Sequence, residues 1–101
     1  MGKKVECFCA NKELANISGL LKTIAEGNRL KIICFLGKGE RCVCQIMEAL
    51  DLPNNLVSHH LKTLTKAGIL LSRREGRFVY YKIDKNNFSA FKSEFKKLVG
   101  K

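Results

Sequence analysis

No stretch of this 101-residue chain approaches the roughly 20 consecutive apolar residues that a membrane-spanning helix needs. The first residues, Met1-Gly2-Lys3-Lys4-Val5-Glu6-Cys7, have the positive start of a secretory signal but no apolar segment behind it. A cytoplasmic location, with no membrane partner, is therefore expected. Internal repeats, low-complexity segments and Gly/Ser linkers are also missing, so a single domain is the working reading. Acidic residues are few: 9 Asp and Glu stand against 19 Lys and Arg, a formal net charge of +10. The imbalance is concentrated in the second half. Residues 1–53 carry 8 basic and 6 acidic side chains, whereas residues 54–101 carry 11 and 3. Clustered Lys and Arg displace counterions from a phosphate backbone, so the basic half points to a polyanion. The alternative is a solvated basic face that serves solubility.

What is present is ordinary for a folded domain. Hydrophobic residues make up 46% of the chain, which excludes disorder. There are 5 cysteines, an odd number. In a reducing compartment these are not expected to form a disulfide framework. Metal binding, redox chemistry or burial remain open to them. A Cys-x-x-Cys beside a βαβ unit does not occur, which argues against a thiol-disulfide enzyme, and no catalytic residue is assigned.

From Asn11 onward, Leu14, Ile17, Leu21 and Ile24 recur at spacings of three and four and predict an amphipathic helix. Glu26-Gly27-Asn28 interrupts it. Leu30, Ile33 and Cys34 continue a second helix as far as Gly37-Lys38-Gly39. A third is predicted from about Cys42 to Leu50, ended by Asp51-Leu52-Pro53. A fourth has Asn54 and Asn55 as N-cap candidates, Val57, Leu61 and Leu64 on its inner face, and Gly68 as its C-cap. The turn between these last two has helix-turn-helix length. Residues 69–74 and 78–83 then read as strands around a Glu75-Gly76-Arg77 tip. A last helix carries Phe88, Phe91, Phe95 and Leu98.

The predicted fold is thus mainly α with one β-hairpin, in the order α-α-α-α-β-β-α, a winged helix-turn-helix. The domain reading is an N-terminal arm over residues 1–10, mobile and carrying a Cys pair, followed by a single winged-helix domain over 11–101. The terminal helices offer more apolar surface than so small a domain buries alone, so a twofold homodimer is expected.

Three stretches carry a family resemblance: residues 21–29 (LKTIAEGNR), 40–46 (ERCVCQI) and 57–64 (VSHHLKTL). The chain resembles the ArsR/SmtB family of metal-sensing winged-helix repressors, most closely its cadmium/lead and arsenite sensors. The second stretch is similar to the family's metal box, with Arg41 in place of Leu and Gln45 in place of Asp. The third resembles its reading helix. The resemblance implies double-stranded operator DNA as partner and release of DNA when an inducing ion binds.

A reading helix contacts bases through its first turns, which nominates Asn55, Ser58 and His59, with Asn54 and Lys62 reaching phosphates or flanking bases. Asn54 and Asn55 also have a capping alternative, and His60, beside the inner stripe, is read as structural. Arg73, Arg74 and Arg77 cluster on the hairpin, with Arg77 the chosen wing contact. One of Tyr80 and Tyr81 should face the core and the other not.

For metal, Cys42 and Cys44 can both face one ion only where the helix is starting, since two residues apart on a regular helix they diverge by about 200°. The helix N-terminus favours thiolate. Cys7 and Cys9 form a second such pair. Some cadmium and lead sensors of the family use a cross-subunit site, and the resemblance implies that Cys7 and Cys9 join Cys42 and Cys44. Thiolates select Cd, Pb, Zn, Cu(I) or As(III) over hard ions. Cys34 is assigned to the core. The last helix has no histidine, which argues against a second, histidine-based zinc site. The rival readings are a redox or persulfide switch on the same fold, and a winged helix used for protein contact alone.

Overall fold

The computed structural model describes residues 12–100, so the expected arm with Cys7 and Cys9 lies outside the described residues. Five helices and a small sheet follow in the order α1 (Lys12–Ile24), α2 (Gly27–Leu36), β1 (Arg41–Cys42), α3 (Val43–Leu50), α4 (Asn54–Lys66), β2 (Leu70–Glu75), β3 (Phe78–Ile83) and α5 (Lys85–Val99). The predicted winged helix-turn-helix is present. It has one element that the sequence reading lacked: β1, which pairs with β3 and makes the hairpin a three-stranded antiparallel sheet of order β1-β3-β2.

Local chemistry sets the boundaries. Glu26, rather than a break in helical spacing alone, separates α1 from α2, because its carboxylate accepts from the Arg29 N–H at 3.0 Å and caps α2. The α3–α4 corner is three residues long. Asp51 closes α3 in the left-handed region at φ 55°, a conformation that Asp tolerates. Pro53 is the N-cap of α4, and its carbonyl accepts from the Leu56 and Val57 N–H groups. The capping assignment of Asn54 and Asn55 is therefore corrected: both lie inside the first turn, with their side chains exposed. At the other end Gly68 N–H bonds to the Thr65 carbonyl and Ile69 N–H to that of Leu64, a Schellman closure that requires the left-handed φ of +85° at Gly68. Glu75 pairs with Phe78, leaving only Gly76-Arg77 at the hairpin tip, where Gly76 has the positive φ of +64° that such a tight turn demands. Asp84 caps α5 by accepting from the Asn87 N–H.

The core is one cluster: Ile32 and Leu36 from α2, Ile46 from α3, Val57, Leu61 and Leu64 from α4, and Ile69 and Leu70 entering β2. All three residues predicted for the inner face of α4 are in it. Of the stripe predicted for α2, Ile33 packs against the core and the other two residues do not. Leu30 is 49% exposed and Cys34 is exposed, which overturns the core assignment of Cys34. In Leu30-Lys31-Ile32-Ile33-Cys34-Phe35-Leu36 all but one residue is apolar, so spacing alone fits two faces equally, and packing selects the one bearing Ile32 and Leu36. Replacement of the fully buried Ile46 by Ala is expected to lower the unfolding free energy by about 2–5 kcal/mol, the range for a large aliphatic cavity; urea unfolding followed by circular dichroism measures it, and a loss under about 1 kcal/mol would contradict this packing.

Candidate nucleic-acid interface and thiol pair

The helix α4 is bound to the domain by one face only. Val57, His60, Leu61 and Leu64 are buried, while Asn54, Asn55, His59, Lys62 and Lys66 are exposed along the opposite side, with Ser58 half-buried. His60 is structural, as expected. Its Nδ1 accepts from Arg29 Nε at 3.2 Å, and the Arg29 Nη1 donates onward to the Thr23 carbonyl at 3.1 Å. Since Nδ1 is the acceptor, neutral His60 carries its proton on Nε2, which points to Glu26 Oε1 at 3.9 Å. The Glu26 carboxyl is held below its ordinary value chiefly by the hydrogen bond it accepts from the Arg29 backbone N–H, against an opposing desolvation. One arginine thus joins the end of α1, the start of α2 and the buried side of α4. It lies in the first stretch that carried the resemblance, but nothing in its spacing signalled a partner 31 residues away.

On the free face, Ser58 Oγ donates to Asn54 Oδ1 at 3.0 Å, so the Asn54 amide is oriented with its NH₂ outward and Ser58 partly occupied. Asn55 makes no side-chain hydrogen bond among the described residues and is exposed. Between α4 and the sheet runs a groove of about 650 Å³ lined by His59, Lys62, Thr63, Lys66, Ser72 and Tyr81. Ser72 and Tyr81 are opposite one another in the β2–β3 register, on the sheet face that also carries Arg74 and Val79. Tyr81 packs against the core, whereas Tyr80 lies on the outer face, as the alternation required.

The three hairpin arginines differ in occupation. Arg74 and Arg77 are exposed and form no ion pair among the described residues. Arg73 is exposed too, but its guanidinium is taken up by partners within the chain. Its Nε and Nη2 donate to the two oxygens of Glu40 at 2.9 and 2.8 Å, its Nη1 donates to Glu75 at 2.6 Å, and its guanidinium lies 4.6 Å above the Tyr80 ring. The Glu40 carboxyl is accordingly depressed, chiefly by the Arg73 hydrogen bonds, and Arg73 is pushed above its ordinary value by the two carboxylates. Glu40 entered the sequence reading only as part of the box; its role could not be seen without the fold.

Cys42 and Cys44 bracket the start of α3. Cys42 is buried, at 7% exposure, and stands in β1 opposite Tyr80, while Cys44 is exposed in the first turn of the helix. Their Cα atoms are 5.4 Å apart and their sulfurs are bonded to each other. The expectation concerned a disulfide framework, with redox chemistry left open to the cysteines. A bond that spans one intervening residue joins only the adjoining ends of β1 and α3, so it is not a framework, and the reason the sulfurs meet is the one foreseen: Cys42 is still extended while Cys44 is helical. Gln45, in the place of the expected acidic residue, still caps, its Oε1 accepting from the Cys42 N–H at 2.9 Å. Arg41, in the place of Leu, lays its guanidinium 5.1 Å over the Phe35 ring. Among the described residues no three His, Cys, Asp or Glu side chains come together to hold a metal ion.

Comparison with known proteins places this geometry. The family profile for bacterial regulatory proteins of the arsR family matches residues 26–72, from the α2 cap to β2. The CadC homolog, a cadmium resistance transcriptional regulatory protein of Staphylococcus aureus, is 35% identical over 81 residues, covering 74% of this chain and 67% of that protein. The chain belongs to the ArsR family. CadC of Listeria innocua is 39% identical over 73 residues, 71% of this chain and 61% of its own length, so the chain spans about three fifths of that relative. HlyU of Vibrio cholerae superposes with a TM-score of 0.75 at 28% identity, over 90% of this chain and 99% of that one. The same protein in its reduced form gives 0.73 at 29% identity, over 89% and 95% of the two chains. The relatives are named as regulators, in agreement with a non-catalytic reading of this ArsR-family chain.

Within the family's helix-turn-helix, the Arg29–His60 bond is expected to matter for stability. An Arg29→Ala variant leaves a buried imidazole acceptor unpaired and should unfold about 1–3 kcal/mol more easily in urea. An unchanged midpoint would show that this bond does not anchor α4.

Proposed function

We propose that the chain is a cytoplasmic transcriptional repressor that binds a palindromic operator as a homodimer and leaves it when a soft metal or metalloid ion is held by cysteine thiolates. The observation that carries the reading is the convergence of the Cys42 and Cys44 sulfurs at the start of α3, the helix that leads directly into α4 through a three-residue corner. Two sulfurs able to meet can also open to the roughly 3.8 Å that two thiolates adopt around a tetrahedral ion with bonds of about 2.3 Å. The donor set is soft, which favours Cd, Pb, Zn or As(III). Because two thiolates do not complete such a site, Cys7 and Cys9, from the arm of the partner subunit, supply the remaining ligands. The captured ion acts as an inducer, not as a catalyst.

The DNA surface consists of Asn55 and His59 facing base edges, Asn54, Ser58 and Lys62 facing phosphates or flanking bases, and Arg74 and Arg77 extending the contact onto the wing. Arg73 is left out of the contact set because its fork is filled. Dimerisation rests on the terminal helices. No residue of α5 is buried in the single chain, yet Phe88, Phe91 and Phe95 stack along it at 5.9 and 6.2 Å, and Phe95 and Leu21 are 38% and 39% exposed. No described helix is long and apolar enough to cross a membrane. A second reading, a repressor switched by thiol oxidation, is favoured by one observation, the bonded Cys42–Cys44 sulfurs.

Fluorescence anisotropy with a labelled duplex taken from upstream of the protein's own gene tests the proposal. Reduced protein should bind it, and Cd(II) should weaken binding by about 5- to 150-fold, the usual span of allosteric coupling. A Cys42→Ser, Cys44→Ser variant should bind the duplex without responding to Cd(II). Unchanged affinity on adding the ion to wild type would overturn the proposal, and release by oxidant alone would establish the redox reading in its place.

A further inference from the structure

Two connections run from the cysteine pair to the wing, and they meet at one residue. The first is backbone: Cys42 is paired with Tyr80 across β1 and β3. The second is side-chain: Glu40, two residues before Cys42, receives both forks of Arg73, which is 33 residues away on β2. Arg73 in turn lies over the Tyr80 ring and bonds Glu75 at the edge of the Gly76-Arg77 tip. Glu40 and Tyr80, the one two residues from Cys42 in the chain and the other paired with it across the sheet, thus both touch the same guanidinium.

Energetics decide what this arrangement is for. Glu40 and Arg73 have side-chain exposures of 29% and 48%, and ion pairs so exposed contribute little to global stability. Their value is directional. A two-pronged Arg–carboxylate pair fixes the plane of one group relative to the other, which a single hydrogen bond does not. Two carboxylates and an aromatic face also leave Arg73 little to gain from a DNA phosphate, whereas Arg74 and Arg77 have no such partners among the described residues.

We propose that the Glu40–Arg73 fork is the link by which the state of the Cys42–Cys44 pair sets the angle of the wing, so that Arg73 acts by positioning Arg74 and Arg77 rather than by touching DNA. This inference rests on the sensing role given above to the two cysteines, and it deepens that role by naming the path between sensor and DNA surface.

The test uses the full chain, labelled with nitrogen-15, as wild type, Glu40→Gln, and the charge-swapped double variant Glu40→Arg, Arg73→Glu. Dithiothreitol converts the bonded sulfurs to two thiols: two electrons and two protons pass to Cys42 and Cys44, and the reductant closes its own disulfide. In wild type the amide signals of residues 73–80 should move on reduction. In Glu40→Gln that movement should fall by at least about half, and the swapped variant should recover most of it. In parallel, the Cd(II)-induced loss of duplex affinity should shrink about 2- to 30-fold in Glu40→Gln, the range by which residues along a coupling path alter it. Both replaced residues are at the surface, so signal dispersion should confirm that each variant is folded. A wing response in Glu40→Gln equal to that of wild type, or a wild-type wing that does not respond to reduction, overturns the link. If Cd(II) releases wild type and Glu40→Gln equally, the link fails while the repressor reading stands. If wild type ignores Cd(II), the repressor reading fails, and the amide signals still decide the link.

Discussion

Everything specific in this domain depends on the one-sided burial of α4. A helix that must show bare polar side chains to a partner can be fixed only through its other face, and here that face offers Val57, Leu61 and Leu64 to the core and a single polar group, His60, to Arg29. The apolar contacts supply most of the binding energy but are non-directional. The Arg29–His60 bond supplies direction, because the guanidinium is itself held by the Thr23 carbonyl at the end of α1. Rotation of α4 about its axis would break this bond as well as expose apolar surface. The surface carrying Asn55, His59 and Lys62 therefore inherits its orientation from the junction of α1 and α2.

The wing is fastened in a different way. Its inner face packs through Tyr81 and Ile83, while its outer face is tied by hydrogen bonds and ion pairs to the segment that begins at Glu40. That segment also contains Cys42 and Cys44. The thiols, the wing and the free face of α4 are thus parts of one small body in which each neighbour is one element away. Under the proposed reading, so short a path needs no large motion to connect the cysteine pair to the exposed face of α4 and the wing; a change of wing angle would be enough, provided that the link is directional.

Much of this was legible in the sequence, and the limits of legibility have physical causes. Helical spacing found α1 and α4 because apolar and polar residues alternate cleanly there, and in α2 it put Leu30 and Cys34 on the core side because Leu30 to Leu36 is apolar almost throughout. Pro53 was recognised as a boundary but not as the cap, a role in which only its carbonyl is used. The strand β1 escaped notice because two residues carry no periodicity, and it exists through pairing with β3. The convergence of Cys42 and Cys44 could be argued from a helix start, a local property. Arg29, Glu40 and Arg73 could not be assigned, since their partners lie 31 and 33 residues distant and are brought together only by the tertiary fold. Charge asymmetry marked the second half of the chain correctly as the basic half without showing that one of its arginines, Arg73, faces carboxylates.

Thermodynamic linkage gives the central claim its most direct test. If capture of an ion by the cysteines and binding of the operator oppose each other through this body, the ion must bind more weakly to the DNA-bound protein than to the free protein, by the same factor that it weakens DNA binding. The measurement is the Cd(II) affinity of the reduced protein, read from its ultraviolet thiolate absorption, with and without saturating operator duplex. The account requires an affinity about 5- to 150-fold lower on DNA. Equal affinities in the two states would contradict it, whatever the residues that hold the ion.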